Sequence, residues 1–183
     1  MSSLLFLHPR TPALFSSGGA TPTPEGLAEF RRKFPDCPQP EPLDRLSLPL
    51  KREYAEAIVA GSKTVEYREF KPHYSRRILD KNVLAWSDEN DARLSDGDIA
   101  YVDPIRQVQS IHFYDYNGTW YLDVSVKETG LVSYTEDDVH YMNELGSHEM
   151  DEGLEYFTAH GTPENERPVY FYFAIEDIIS SNL

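Results

Sequence analysis

Residues 46–68 constrain the fold of this chain more than any other stretch, because they predict three consecutive elements. Leucines alternate with smaller or rigid residues over 46–50, which is the period-two pattern of a half-buried strand. Apolar residues then recur at helical spacing over 54–59, and Gly61 can adopt the left-handed conformation that ends many helices. We therefore predict a strand, a short helix closed by Gly61 and a returning strand over 64–68.

The returning strand carries a group of polar residues with opposite charges. Strand parity places Thr64, Glu66 and Arg68 on one face, while Lys63 lies in the turn that precedes them. A strand, a tight helix and a returning strand leave these side chains little freedom to separate, so we expect all four at one corner of the fold. Such a cluster is either a binding site or an internal brace between strands, and both interpretations remain open.

The same residues carry a resemblance to a known family. Leu46-Ser47-Leu48, the Tyr-Ala-Glu-Ala-Ile segment at 54–58, and the Gly-x-Lys-Thr-Val-Glu-x-Arg segment at 61–68 resemble the opening motif of ASCH domains, which are relatives of the PUA-like RNA-binding β-barrels. A weaker similarity follows at 96–98, a predicted turn before a strand at 99–102. The resemblance implies an α+β fold: a small, mostly antiparallel PUA-like β-barrel with flanking helices. It also implies that the chain binds RNA or a modified nucleoside or nucleotide.

Hydrophobic patterns in the remainder are compatible with such a barrel. The Asn117-Gly118 pair is the strongest hairpin signal in the chain, and it joins two predicted strands at 109–116 and 119–127. Thr135 followed by three acidic residues predicts the start of a helix that runs to about residue 145. Further predicted elements are a helix at 150–159 and strands at 82–86 and 168–175.

The first 42 residues form an extension to the predicted domain at 43–183. They hold eight of the 13 prolines, so they cannot form a core of their own. One short helix is predicted within them, with Thr23 as N-cap and with Leu27, Phe30 and Phe34 at helical spacing. We expect the extension to dock on the domain or on a neighbour, which makes it a candidate contact for a homodimer.

Charge and composition limit the possible partners. The net charge of −14 argues against indiscriminate binding of nucleic acid, although residues 45–81 hold nine of the 17 Lys and Arg residues. No apolar run approaches the roughly 20 residues that span a bilayer, so we expect no membrane contact. Cys37 is the single cysteine, which excludes an internal disulfide and favours the cytoplasm. We expect no metal and no cofactor, because His140, His148 and His160 are too widely spaced for a local site.

A nucleobase pocket is the leading hypothesis for the polar cluster. Lys63 would contact a phosphate or a base carbonyl, Glu66 would accept a hydrogen bond from an exocyclic amine, and Arg68 would add charge or stacking. Further candidate ligand-binding residues are Thr64 in the motif, Arg76 and Arg77 in the following basic segment, and Trp86 as a stacking aromatic.

Two other classes of function stay open. Some ASCH proteins are amidohydrolases that remove the acyl group from acetylcytidine, using a Lys in the Gly-x-Lys-Thr turn, a Thr three residues later as nucleophile, and a distant Glu. Lys63 matches the first residue, Glu66 occupies the position of the nucleophilic Thr, and Glu149 is the candidate for the distant acid. Because a carboxylate does not replace an alcohol nucleophile, that chemistry would change. Ribonuclease activity is a further enzymatic alternative. The third class is a protein-interaction module with no small ligand.

Overall fold

The computed structural model describes residues 23–183 and has an α+β fold, in which a curled, mixed five-stranded sheet forms a half-barrel with helices around it. The strands are β1 (Leu46–Pro49), β2 (Val65–Glu69), β3 (Ser110–Tyr114), β4 (Tyr121–Ser133) and β5 (Val169–Ser181). The helices are α1 (Pro24–Lys33), α2 (Arg52–Val59), α3 (Pro72–Ile78), α4 (Lys81–Glu89), α5 (Asp96–Ile99), α6 (Glu136–Glu144) and α7 (Asp151–Ala159). Within these residues, no helix has the length and apolar character needed to cross a membrane.

The sheet has the strand order β1-β3-β4-β5-β2, so β1 and β2 are its two edges. Only the β1–β3 pair is parallel, which agrees with the predicted mostly antiparallel sheet. The predicted β3–β4 hairpin is confirmed, with Tyr114 opposite Tyr121 and Gly118 at a φ of 68°. Its connection, the hairpin loop (residues 115–120), is longer than a two-residue turn, and within it the Asp115 carboxylate accepts hydrogen bonds from the Thr119 backbone and hydroxyl.

The inner face of the half-barrel holds the main hydrophobic core. Its fully buried side chains come from four of the strands: Leu46, Leu48, Ile111, Phe113, Leu122, Val124, Phe171 and Phe173. Directly paired residues of antiparallel strands share a face, and β2 pairs Glu66 with Phe173 and Arg68 with Phe171. The two charged residues of β2 therefore lie on the core side of the sheet. Val65 belongs to a second cluster, which packs against α6 and the segment that follows it.

Two predicted strands, at 82–86 and at 99–102, are absent from the structure. Residues 82–86 lie in α4, because Asp80 caps this helix by accepting hydrogen bonds from the backbone of Asn82 and Val83. Residues 96–99 form α5, which begins with a capping box between Ser95 and Asp98. ASCH domains commonly enter a strand after the turn that residues 96–98 resemble, but residues 99–102 of this chain do not form a strand.

The described part of the extension packs on the rest of the chain. Helix α1 begins at the predicted N-cap, with the Thr23 hydroxyl accepting a hydrogen bond from the Gly26 backbone. Phe30 and Phe34 are buried in a third cluster that also contains Val83, Trp86, Leu94, Ile99 and Val102. Residues 23–42 are thus docked on their own chain. The rest of the extension, residues 1–22, lies outside the described residues, and the homodimer contact stays a prediction.

Candidate functional site

The connection between α2 and β2 fixes the position of Lys63. Gly61 has a φ of 74°, so the chain turns there as predicted, and the Lys63 backbone N–H donates to the Ala57 carbonyl at 3.1 Å. The Lys63 side chain is consequently held beneath the helix and is only 8% exposed. β2 begins two residues later and presents Glu66 and Arg68 from the same side.

Glu66 lies at the centre of a buried ionic network. The Arg68 Nη2 atom is 2.8 Å from Glu66 Oε1, and the Lys63 Nζ atom is 3.5 Å from Glu66 Oε2. Lys63 Nζ is also 2.6 Å from Oε1 of Glu149, so the charges alternate along the series Glu149, Lys63, Glu66 and Arg68. The side chain of Glu66 is only 6% exposed, whereas that of Glu149 is 47% exposed. The network therefore runs from the surface into the core side of the sheet.

The linker between α6 and α7 brings Glu149 to this network. Two hydrogen bonds hold the linker on β2: the Thr64 hydroxyl donates to the Leu145 carbonyl at 2.9 Å, and the Tyr67 hydroxyl donates to the Ser147 hydroxyl at 2.8 Å. The structure thus brings the predicted distant acid against Lys63. Thr64, predicted as a ligand-binding residue, instead anchors this linker.

Arg68 connects the two edges of the half-barrel. Its Nη2 atom donates to the Pro49 carbonyl of β1 at 2.7 Å, in addition to its ion pair with Glu66. Its guanidinium lies 5.9 Å from the centre of the Tyr74 ring. The Nε atom is buried and has no hydrogen-bond partner among residues 23–183. A buried donor without a partner lowers stability, and such groups need an explanation in a native structure.

An open cleft of about 720 Å³ lies against Glu66 and Arg68. Its lining comes from the β1–α2 connection, β2, α3 and the hairpin loop, and consists of Pro49, Leu50, Lys51, Arg52, Tyr54, Glu66, Tyr67, Arg68, Tyr74, Asp115, Tyr116, Asn117 and Trp120. Lys63 is not part of this lining. Its ammonium group lies 5.6 and 5.7 Å from the ring centres of Tyr54 and Tyr67, which do line the cleft. Aromatic rings and the ion pair therefore share the cleft, with Lys63 beside them.

Three predicted ligand-binding residues lie away from the cleft. Trp86 is buried in the α1 cluster, where its indole N–H donates to Asp36 at 3.0 Å. Arg77 donates to the Ser47 carbonyl at 3.1 Å, and Arg76 is exposed on α3 outside the lining. The basic segment thus braces β1 and faces solvent, and it does not line the cleft.

Several residues that line the cleft are not predicted by any motif in the sequence. Tyr54 begins the apolar repeat that predicts α2, yet it is 42% exposed and lines the cleft. Tyr74, Lys51 and Arg52 also belong to the lining. The position of Lys51 and Arg52 could have indicated that they line the cleft, because they come directly after the first predicted strand, where a chain turns at the edge of a sheet.

Burial raises the pKa of the Glu66 carboxyl above its ordinary value of 4.5, against the opposing effects of Arg68 and Lys63. As pH rises, the unfolded chain therefore loses this proton before the folded chain does. The stability that Glu66 contributes is fully present below pH 4.5 and declines as pH rises toward the folded pKa.

We predict that this decline can be measured against Glu66→Gln, which cannot ionise. The difference in unfolding free energy, wild type minus variant, should fall as pH rises from 4 to 7, at up to about 1.4 kcal/mol per pH unit. Urea titrations at each pH provide the measurement. Glu69→Gln, on the same strand but with a 52% exposed side chain, is the control for replacing a glutamate of β2 by glutamine. A difference that rises with pH for Glu66→Gln would mean that the two cations outweigh burial.

Comparison of the chain with models of known protein families, with curated proteins and with solved structures finds no match. Among residues 23–183, no three His, Cys, Asp or Glu side chains are grouped so that they could hold a metal ion. What this chain does must therefore be inferred from the cleft and from the motif that builds it.

Proposed function

We propose that this chain is an ASCH domain of the PUA-like group, and that its cleft binds a nucleobase-containing ligand: a nucleoside, a nucleotide or a short RNA segment. One observation carries the proposal. The Glu66–Arg68 ion pair, which the motif at 61–68 supplies, lies against a cleft lined by aromatic rings. Ligand sites are typically concave, rich in aromatic side chains and provided with a few polar groups that fix orientation.

The chemistry of the lining suits a planar base. A carboxylate such as Glu66 accepts hydrogen bonds from exocyclic amines, and a guanidinium such as Arg68 donates to ring or carbonyl acceptors. Tyrosine rings offer faces on which a base can stack. The volume of about 720 Å³ lies within the range of roughly 300–1,000 Å³ that is usual for small-molecule sites.

Lys63 has a different role in this proposal from the one that the motif implies. Its ammonium group is enclosed by Glu66, Glu149 and two tyrosine rings, and it does not line the cleft. It therefore acts as a positioning residue, which holds the Glu66 carboxylate and balances its charge. Base contacts fall to Glu66, Arg68 and the aromatic rings.

One contact favours a second candidate, the hydrolysis of an acylated nucleoside. Lys63 Nζ and Glu149 Oε1 are 2.6 Å apart, so the two residues that the amidohydrolase resemblance assigns to Lys and distant Glu are in contact. The position of the nucleophilic Thr is still occupied by Glu66, which is ion-paired. Hydrolysis would therefore need a water molecule as nucleophile, activated by one of the two carboxylates, with acetate and cytidine as products from acetylcytidine.

The experiment is a titration of the wild-type chain with a panel of nucleosides, acetylcytidine, nucleotides and short RNA oligomers. We expect at least one probe to bind, and we expect Glu66→Gln and Arg68→Lys to weaken that probe about tenfold, the effect of losing one charged hydrogen bond. Each titration is run well below the unfolding temperature of the variant. Chromatography of the acetylcytidine sample tests the second candidate by detecting free cytidine.

Arg77→Lys is the matched control. Arg77 also donates to a β1 carbonyl, that of Ser47, but it lies outside the cleft, so its replacement should leave the affinity unchanged. Failure of every probe to bind the wild type would refute the proposal. Equal binding by wild type, Glu66→Gln and Arg68→Lys would place the ligand elsewhere.

A further inference from the structure

Tyr116 is exposed far more than its neighbours in the cleft. The residue is 87% exposed, the largest value for any large apolar or aromatic residue within 23–183. Among these residues it makes no hydrogen bond and no ring contact, although it lines the cleft. An aromatic ring presented to water at the edge of a cleft has both faces available for stacking.

The hairpin loop holds Tyr116 in place. The Asp115 carboxylate accepts hydrogen bonds from the Thr119 backbone at 2.6 Å and from the Thr119 hydroxyl at 2.7 Å. Trp120, at the end of the loop, is only 4% exposed and belongs to the main core. The loop is therefore anchored on both sides of the turn, so little backbone entropy would be lost when Tyr116 contacts a ligand.

Two cations line the same cleft at the start of α2, just after β1, which runs parallel to β3 and pairs Pro49 with Tyr114. Lys51 and Arg52 have side chains that are 73% and 57% exposed. Their ion pairs with Glu53 and Glu56, at 3.6 and 2.8 Å, are surface pairs, which contribute little and exchange easily. These cations can therefore turn to a phosphate group without disrupting the fold.

The charge around the cleft suits one phosphate better than a series of them. The lining holds three cations (Lys51, Arg52 and Arg68) and two carboxylates (Glu66 and Asp115), a net charge of +1. The whole chain has a net charge of −14, and residues 128–166 contain no Lys or Arg. A nucleic-acid strand needs several neutralised phosphates for its affinity, and a chain with a net charge of −14 repels the additional ones.

Building on the proposed function, we infer that the cleft binds a single nucleoside monophosphate, not an RNA strand, with the base stacked on Tyr116 and the phosphate near Lys51 and Arg52. Calorimetric titration of the full chain with the four nucleoside 5′-monophosphates, the free nucleosides and hexanucleotides of the same bases tests the inference. The best monophosphate should bind at least as tightly as its hexanucleotide, and several-fold more tightly than its nucleoside. Tyr116→Ala should weaken it about tenfold, as loss of one base–aromatic stack does.

Two controls accompany this series. Tyr116→Phe keeps the ring and should stay within about twofold of the wild type. Tyr156→Ala removes another exposed tyrosine, 57% exposed and outside the cleft, and should have no effect.

Three results would overturn the inference and leave the proposed function standing, provided that Glu66→Gln still weakens binding. They are unchanged affinity in Tyr116→Ala, equal affinity for nucleoside and monophosphate, and a hexanucleotide that binds more than about tenfold tighter with a steep dependence on salt. Failure of every probe to bind the wild type would instead remove the proposed function together with the inference.

Discussion

Replacing Arg68 by alanine is expected to lower the unfolding free energy by about 3–5 kcal/mol, because the change leaves a buried carboxylate without its nearest cation. Arg68 Nη2 is 2.8 Å from Glu66 and also donates to the Pro49 carbonyl at 2.7 Å. Loss of the guanidinium therefore removes the charge partner of Glu66 and a link between the two edge strands of the half-barrel. Urea denaturation followed by circular dichroism measures the change.

A double variant separates the charge from the packing. Glu66→Leu with Arg68→Met removes both charges and keeps apolar volume, and buried ion pairs replaced in this way are often neutral or more stable. We expect the double variant to recover most of the stability that Arg68→Ala loses. Arg45→Ala is the matched single control, because the Arg45–Asp123 pair at 2.9 Å has a 56% exposed arginine, and surface pairs are worth about 1 kcal/mol or less. A loss in Arg68→Ala no larger than in Arg45→Ala would contradict the bracing role.

Keeping the Glu66–Arg68 ion pair costs the protein stability that an apolar pair at the same positions would provide. A ligand that meets Glu66 and Arg68 finds them already oriented by each other and by Lys63, so little reorganisation is needed on binding. An apolar double variant that is stable but no longer binds nucleotides would show that the ion pair is kept for recognition.

Local sequence patterns were sufficient for the elements that organise the site. Alternating leucines and a terminal Gly61 predict β1, α2 and the return into β2, and all three are present. The proximity of Glu66 and Arg68 follows from their spacing, since residues two apart on a strand share a face, whereas Lys63 lies in the turn before the strand. The Asn117-Gly118 signal likewise marks the hairpin between β3 and β4.

Short apolar runs were the source of the wrong strands. Residues 82–86 could be a strand or a helix by composition, and the decisive signal was Asp80, an N-cap residue two positions before Asn82. Ser95 and Asp98 formed a capping box that was interpreted as a turn. In both places the capping residues carried more information than the apolar residues that followed them.

The cleft itself depends on contacts between distant parts of the chain. Glu149 is 86 positions from Lys63, and its approach requires that the α6–α7 linker is held on β2. Tyr74 and Tyr116 line the same cleft only because the sheet curls and brings α3 and the hairpin loop to one opening. Residue spacing along one element cannot predict which distant side chains line the same cleft, because their proximity depends on how the sheet curls.

Replacing Phe30 by alanine is expected to destabilise the chain by about 3–5 kcal/mol, the usual range for an aromatic residue removed from a core. Phe30 is 3% exposed in α1, and its ring lies 5.1 Å from that of Phe34, 6.5 Å from Trp86 and 6.0 Å from Tyr101. The change would leave a cavity in the cluster that joins α1 to α4 and α5. Leu27→Ala, at a half-buried position one turn earlier, should have a clearly smaller effect and is the control.

The two tryptophans can report whether this cluster unfolds together with the half-barrel. Trp86 lies in the α1 cluster and Trp120 in the main core, so Trp86→Phe and Trp120→Phe each leave one fluorophore in one cluster. We expect both single-tryptophan proteins to unfold at urea midpoints that match their own circular dichroism transitions, the sign of one cooperative unit. Addition of Phe30→Ala should then shift both signals equally. A shift confined to Trp86 would mean that α1, α4 and α5 form a separate unit whose loss leaves the cleft intact.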